Sequence, residues 1–111
     1  MDESSEILEI CSTLFRAAGY QVNTFRSGSP AIEFLRLQTA DAVIIDDTLS
    51  DMSGSDLARA IKKVSESTVV VMYSSRLRSE ENIPCLDSYL SKGNGPLALR
   101  SLLDSLLGQS Q

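Results

Sequence analysis

The fold of this chain is decided by the stretch Val43-Ile44-Ile45-Asp46-Asp47-Thr48-Leu49-Ser50-Asp51-Met52-Ser53-Gly54. The apolar residues 42–45 suit a strand that is buried on both faces of a parallel sheet, and the segment after Asp47 leads into a helical pattern. Carboxylates that follow such a strand lie at its C-terminal end, where open α/β sheets bind ligands and react. Asp46 is therefore a candidate nucleophile, because a carboxylate there can accept a phosphoryl group.

The chain is short and acidic, with 111 residues, 42% hydrophobic residues and a formal net charge of −5. A chain of this length buries one core, so we predict a single domain over residues 1–111. The longest apolar runs are far too short to span a bilayer and the N-terminus lacks a signal-peptide core, which predicts a cytoplasmic protein outside the membrane. Lysine and arginine are scattered apart from Lys62-Lys63, so we expect no nucleic-acid binding.

Histidine is absent, which excludes Ser-His and Cys-His catalysis and imidazole metal sites. Cys11 falls on the apolar stripe of the first predicted helix and Cys85 follows a proline, and neither has the spacing of a metal site. We therefore expect two reduced, structural thiols.

Helical and strand-like patterns alternate along the chain. Helices are predicted from Ile7 to Ala18, from an N-cap at Ser29 to Gln38, from Leu57 to Val64 and after Gly95-Pro96. Strands are predicted at Tyr20 to Phe25, Ala42 to Asp46, Thr68 to Tyr73 and Asp87 to Ser91. The polar segment 76–85 allows a turn or two of helix at most. This alternation predicts parallel pairing through right-handed crossovers in a doubly wound α/β fold.

The stretch around Asp46 resembles the phosphoacceptor segment of bacterial response-regulator receiver domains. Gly54 lies eight residues after Asp46, which is the spacing of that family. Leu49-Ser50 stands where the family usually has Met-Pro, so the resemblance here is one of spacing and character.

The other strand ends extend the resemblance over nearly the whole chain. Asp2-Glu3 precedes the first helix, as does the acidic pair of receivers. Ser74 and Lys92 each end a predicted strand, at the positions of the family's hydroxyl residue and lysine, and Tyr89 matches its aromatic switch position. We read the chain as similar to a receiver on these four matches together with Asp46.

The resemblance implies a flavodoxin-like parallel sheet in three layers and a magnesium-dependent phosphorylation. Asp46 would take the phosphoryl group from a sensor histidine kinase or a phosphotransfer protein, and the output would be contact with an unknown protein. The implied ligands of Mg²⁺ are Asp2, Glu3, Asp46 and the backbone carbonyl of Thr48. Lys92 would neutralise charge, and Ser74 and Tyr89 would carry the switch.

Some features depart from the family pattern. Gly93 follows Lys92 where receivers usually have proline, so the position of Lys92 is less fixed. Ser74 and Lys92 are eighteen residues apart, about one helical turn less than usual, which shortens the fourth helix. The chain begins at the acidic pair, so most of the first strand of a 2-1-3-4-5 sheet is missing.

Other functions remain open on the sequence. Asp46 could be only a solvated strand end, and Lys92 a surface charge. A pseudo-receiver would keep the fold as a protein-interaction module without being phosphorylated. A phosphohydrolase of the haloacid-dehalogenase type would also use Asp46 as nucleophile, but that class has a second acid two residues later, where Thr48 stands.

The missing first strand would leave a gap of roughly 9–10 Å between its neighbours. Unpaired backbone groups in such a gap cost ~1–3 kcal/mol each, so we expect the gap to be closed or filled. Either the strand Tyr20 to Phe25 pairs directly with Ala42 to Asp46, or a segment of a second chain enters the sheet. We therefore predict a homo-oligomer in which the sheet takes part.

Overall fold

Helices and strands alternate along the computed structural model, which describes residues 1–2, 4–46, 49, 51–75 and 85–108. The helices are α1 (Ser5–Ala17), α2 (Gly28–Leu37), α3 (Gly54–Val64) and α4 (Pro96–Leu106), with a short 3₁₀ helix at Lys92–Asn94. The strands are β1 (Ala42–Ile45), β2 (Val69–Ser74) and β3 (Ser88–Ser91). Within these ranges, no helix combines the length and the apolar character that crossing a bilayer requires. The predicted short helix over 76–85 falls almost wholly outside the described residues.

The three strands form a parallel sheet in the order β1-β2-β3. Alternate side chains of β2 enter different cores: Val70 and Met72 pack with α2 and α3, whereas Val71 and Tyr73 pack with α1 and α4. A strand between two helical layers must be apolar on both faces, which explains the unbroken apolar run at residues 69–72. The prediction of a doubly wound, three-layer α/β fold with a truncated first strand is confirmed.

Helix α2 has a cap that the sequence did not indicate. The predicted N-cap at Ser29 is wrong, because α2 begins at Gly28 and Ser29 lies inside its first turn. The cap comes from a distant loop: the carboxylate of Asp51 accepts the backbone N–H groups of Gly28 and Ser29, both at 2.9 Å. These two hydrogen bonds hold the pKa of Asp51 below its usual value. The loop after β1 is thereby tied to the start of α2.

Met1 and Asp2 form backbone hydrogen bonds on the side of β1 that faces away from β2. The Met1 amino group donates to the Ile44 carbonyl at 2.6 Å, and the Asp46 N–H donates to the Met1 carbonyl at 3.0 Å. On the other side, the Asp2 N–H donates to the Phe25 carbonyl at 3.1 Å. Met1 and Asp2 thus bridge β1 and the segment before α2 at one end of the expected gap.

The predicted strand at Tyr20 to Phe25 is wrong, since the structure assigns no strand there. Direct pairing of this segment with Ala42 to Asp46 is not formed either: in the described part of the chain, β1 pairs with β2. No strand of the described residues lies beside 20–25, so the backbone of this segment joins no ladder there. A cavity of about 290 Å³ lies between this segment and β1 instead. The homo-oligomer stays a prediction.

At the opposite end of the sheet, Asp87 links β2 to α3. Its Oδ2 atom accepts the Val70 N–H at 2.7 Å and the Lys62 Nζ at 2.9 Å, and Lys62 also donates to the Thr68 carbonyl at 2.6 Å. Burial raises the pKa of Asp87, but the hydrogen bonds from Val70 and Lys62 outweigh burial and leave that pKa lowered. The ionised carboxylate is therefore the form that stabilises this end of the sheet.

Asp87→Asn is expected to lower the free energy of unfolding at pH 7 by about 1 kcal/mol, a figure reduced for solvent screening because this side chain is 39% exposed. A carboxyl whose pKa is lowered on folding stabilises above its unfolded value, about 3.9, and loses that contribution as pH falls through the folded pKa. The difference in free energy of unfolding between variant and parent should therefore become smaller as the pH is lowered. Urea unfolding of the variant and the parent at pH 7 and at an acidic pH measures this difference.

Asp56→Asn is the matched control, because Asp56 and its partner Arg59 are 66% and 59% exposed on α3. We expect a change below about 0.5 kcal/mol for this variant. Two outcomes would contradict the role assigned to Asp87: an equal loss of unfolding free energy in both variants, or a loss in Asp87→Asn that does not change with pH.

Candidate functional site

Four of the residues singled out in the sequence lie at one edge of the sheet. Asp46 follows β1, Ser74 is the last residue of β2, Lys92 follows β3, and Asp2 enters beside β1. Because the strands are parallel, their carboxyl ends share this edge. Asp2, Asp46 and Ser74 are all buried, with exposures of 5%, 6% and 0%. Buried polar groups at the carboxyl edge of such a sheet mark a site for chemistry.

Lys92 contacts both carboxylates. Its Nζ atom lies 2.5 Å from Asp2 Oδ2 and 3.4 Å from Asp46 Oδ2. The other oxygen of Asp2 accepts the Ser4 N–H at 2.9 Å, which fixes this side chain at the start of α1. A single cation therefore lies between two buried anions, nearer to Asp2.

The backbone after β3 turns sharply at Lys92. Residues Lys92–Asn94 form the 3₁₀ helix, whose first turn is held by Ser91 Oγ accepting the Gly93 N–H at 3.1 Å. Gly95 follows with φ of +86°, a left-handed conformation that glycine adopts without a steric penalty. The sequence Lys92-Gly93-Asn94-Gly95 thus positions the lysine in the absence of the family's proline.

The charges at this edge stabilise the protonated lysine. Burial lowers the pKa of Lys92, but the hydrogen bond to Asp2 and the charges of Asp2 and Asp46 outweigh burial, so this pKa is raised. The neighbouring Met1 amino group behaves in the opposite way. Burial lowers its pKa to about 6, against the opposing effect of the nearby carboxylates. At neutral pH, Lys92 therefore stays protonated, whereas the Met1 amino group is mostly neutral.

The structure does not bring every predicted residue to this edge. Tyr89 lies in β3 opposite Met72, two residues before the strand pair Ser74 and Ser91, and packs beside the core formed with α2 and α3. Glu3 and Thr48, predicted as magnesium ligands, lie outside the described residues. Met1 and Asp51 were not singled out as site residues, since their partners are 22 to 43 residues away in sequence and no local pattern indicates such contacts.

The donor atoms at this edge suit a hard cation. The carboxylates of Asp2 and Asp46 are both close enough to contact one Lys92 ammonium group, so their oxygens converge on a small volume. Oxygen ligands of this kind are those that Mg²⁺ prefers, with water filling the remaining positions. Within the described ranges, no group of three or more acidic, cysteine or histidine side chains is close enough to hold a metal alone. Asp2 and Asp46 therefore fit a site that is completed by other oxygens.

Comparison with a family model gives a match over residues 1–104 to the response regulator receiver domain. Among curated proteins, the response regulator SaeR of Staphylococcus epidermidis is 26% identical over 98% of this chain and 49% of its own length. SaeR of Staphylococcus aureus is also 26% identical, over 96% of this chain and 48% of its own length. The chain thus spans about half the length of these curated relatives.

Solved structures show the same fold. A CheY-like response regulator receiver domain protein from Methanospirillum hungatei has a TM-score of 0.90 and 19% identity, over 97% of this chain and 90% of its own. The response regulator TrrA of Thermotoga maritima, solved in complex with Mg²⁺ and BeF, has a TM-score of 0.86 and 22% identity, over 95% of this chain and 93% of its own. At these identities the likeness establishes the architecture alone.

Proposed function

Because the chain belongs to the response regulator receiver domain family, we propose that it accepts a phosphoryl group at Asp46 and thereby switches protein contacts in a two-component system. The observation that carries this proposal is the convergence of Asp2, Asp46 and Lys92 at the carboxyl edge of the parallel sheet. The donor would be a sensor histidine kinase or a phosphotransfer protein in the cytoplasm, and the output an as yet undefined protein contact.

The proposed transfer uses a carboxylate oxygen of Asp46 as nucleophile. This oxygen bonds to phosphorus while the P–N bond of a phosphohistidine breaks, and the electron pair of that bond remains on the imidazole, which takes up a proton. The product is an acyl phosphate on Asp46. Lys92, already between the two carboxylates, pairs with the new phosphoryl oxygens and compensates their charge.

The remaining roles are also proposals. Mg²⁺, held by Asp2 and Asp46 with Glu3 and the Thr48 carbonyl, would neutralise charge on the transferring phosphoryl group. Ser74 ends β2 with its side chain fully buried at the same edge, and its hydroxyl would donate to a phosphoryl oxygen. Tyr89, half-buried in β3 two residues before Ser91, would relay that change to the surface.

Incubation of the chain with acetyl phosphate and Mg²⁺, read by intact mass spectrometry, tests the proposal. We expect the mass of one phosphoryl group to be added, and the addition to be abolished in Asp46→Asn. Asp41→Asn is the control, because Asp41 is exposed at the other end of β1 and should be modified like the parent. A folded parent that gains no mass at any Mg²⁺ concentration, or an adduct that persists in Asp46→Asn, would refute the assignment.

One observation favours a second function, a receiver-like interaction module that is not phosphorylated. Lys92 lies 0.9 Å closer to Asp2 (2.5 Å) than to Asp46 (3.4 Å), and Gly93 follows it where the family usually has proline. A lysine that stays paired with Asp2 neutralises less of the charge on a phosphorylated Asp46. This module would bind its partner equally well in the parent and in the Asp46→Asn variant.

A phosphohydrolase would instead turn over a generic phosphate ester, which a colorimetric assay detects.

A further inference from the structure

The carboxylate of Asp51 joins two parts of the chain that are distant in sequence. It accepts the backbone N–H groups of Gly28 and Ser29 in the first turn of α2, both at 2.9 Å. Ser27, which precedes the helix, gives that turn no side-chain hydrogen bond. The first amide groups of a helix have no intrahelical acceptor and form the positive end of its dipole, so a carboxylate suits them in both respects. Asp51 therefore fills the capping role that Ser27 leaves open.

Packing between Gly28 and Met52 reinforces this contact. Gly28 is buried, and a Cβ atom added to it would lie 2.8 Å from the Sδ atom and 3.0 Å from the Cγ atom of Met52. A Cβ atom does not come this close to a neighbour unless something shifts, so a larger residue at position 28 would displace Met52. The missing side chain at Gly28 thus allows the connection after β1 to lie directly on α2.

The connection from β1 to α3 is anchored at several of its described residues. Leu49 is 9% exposed and packs in the core with α2 and α3. Ser53 caps α3, since its Oγ atom accepts the Asp56 N–H at 3.1 Å. Apolar packing at Leu49 has no fixed direction, and Ser53 binds its own helix, so the two directional hydrogen bonds of Asp51 fix the connection relative to α2. The position of the backbone that leaves Asp46 therefore depends on α2.

The cation site needs a connection that is held in place. Asp2 and Asp46 fit a site completed by other oxygens, and in the proposed function one of these is the carbonyl of Thr48, three residues before Asp51. Mg²⁺ demands near-ideal octahedral geometry, so ligand oxygens must be held accurately. We propose that Asp51 is a positioning residue for Mg²⁺, which caps α2 and thereby holds the connection after Asp46 in the arrangement that binds the cation. This inference rests on the proposed function and deepens it.

Titration of the 111-residue chain with Mg²⁺ alone tests the proposal. Amide chemical shifts, followed at a temperature where every variant is folded, give the dissociation constant. Asp51→Ala is expected to raise this constant about tenfold, as is typical when a group that orients metal ligands is removed. Asp51→Asn keeps one side-chain oxygen that accepts an N–H, so the constant should rise only about two- to threefold. A domain that is merely less stable would melt earlier but keep the parent's dissociation constant.

Two further variants separate the hydrogen bonds from the charge of Asp51. Gly28→Pro removes one of the two N–H donors and leaves every charged group in place, and proline is tolerated at the first position of a helix. Its dissociation constant for Mg²⁺ should rise about threefold or more. Asp56→Ala is the matched control, because it removes an aspartate that is 66% exposed and bonds to Arg59 of its own helix. Its constant should stay within about twofold of the parent's.

Phosphorylation by acetyl phosphate supplies a second measurement. Asp51→Ala should need about ten times more Mg²⁺ than the parent for half-maximal modification, but should reach the parent's level at saturating Mg²⁺ because Asp46 is intact. If the parent is phosphorylated and binds Mg²⁺ but Asp51→Ala binds it equally well, this proposal alone is overturned. Equal weakening in Asp51→Ala and Asp51→Asn would assign the effect to charge and would also overturn it. A parent that does not respond to Mg²⁺ would overturn it together with the cation site of the proposed function.

Discussion

Lys92→Met is expected to lower the free energy of unfolding by about 3 kcal/mol, a large part of the stability of a small domain. The side chains of Asp2 and Asp46 are 8% and 9% exposed, so removal of their shared cation leaves two anions close together in a poorly solvated place. Methionine keeps the unbranched apolar stem, so the loss reports charge more than packing. Urea unfolding at pH 7 measures the effect.

Lys63→Met is the matched control, since Lys63 is exposed on α3, and its effect should stay below about 0.5 kcal/mol. In the Lys92→Met background, Asp46→Asn should recover much of the lost stability, because it removes one of the two repelling charges. Millimolar Mg²⁺ should also recover part of it by replacing the missing cation. If Lys92→Met unfolds like the parent, or if Asp46→Asn destabilises it further, the two carboxylates do not depend on this lysine.

Leu99→Ala is expected to lower the free energy of unfolding by about 2–5 kcal/mol. Leu99 lies on α4 with no exposed surface and packs with Phe15, Val71 and Tyr73 in the core between α1, α4 and the sheet. Truncation removes apolar contacts and leaves a hole that the surrounding rigid strands cannot close. The melting temperature should fall by about 10 °C or more.

Leu97→Ala provides the same chemical change in the same helix, but Leu97 is 65% exposed. Its effect should lie within about 0.5 kcal/mol of the parent, because little area is removed from the protein interior. Similar losses for the two variants would show that α4 is not packed on the sheet through Leu99.

The sequence by itself determined the fold class. Unbroken β-branched and apolar runs such as residues 69–72 favour strands covered on both faces, and the alternation with amphipathic helices then favours a parallel sheet. The resemblance to receivers predicted that Asp46, Ser74 and Lys92 share a site, and the rule that the carboxyl ends of parallel strands lie at one edge agrees with it. These are local patterns plus one topological rule, so no tertiary coordinates are needed.

Only the tertiary structure decided what depends on long-range backbone contacts. Tyr20 to Phe25 has a strand-like sequence but forms no strand, because pairing needs a neighbour and, among the described residues, this segment's backbone meets only Asp2, at Phe25. The cap of α2 by Asp51 also depends on long-range contacts, as does the closer approach of Lys92 to Asp2 than to Asp46. Such contacts join residues 22 to 90 positions apart, and a local pattern contains no information on which of several chemically equal groups will meet.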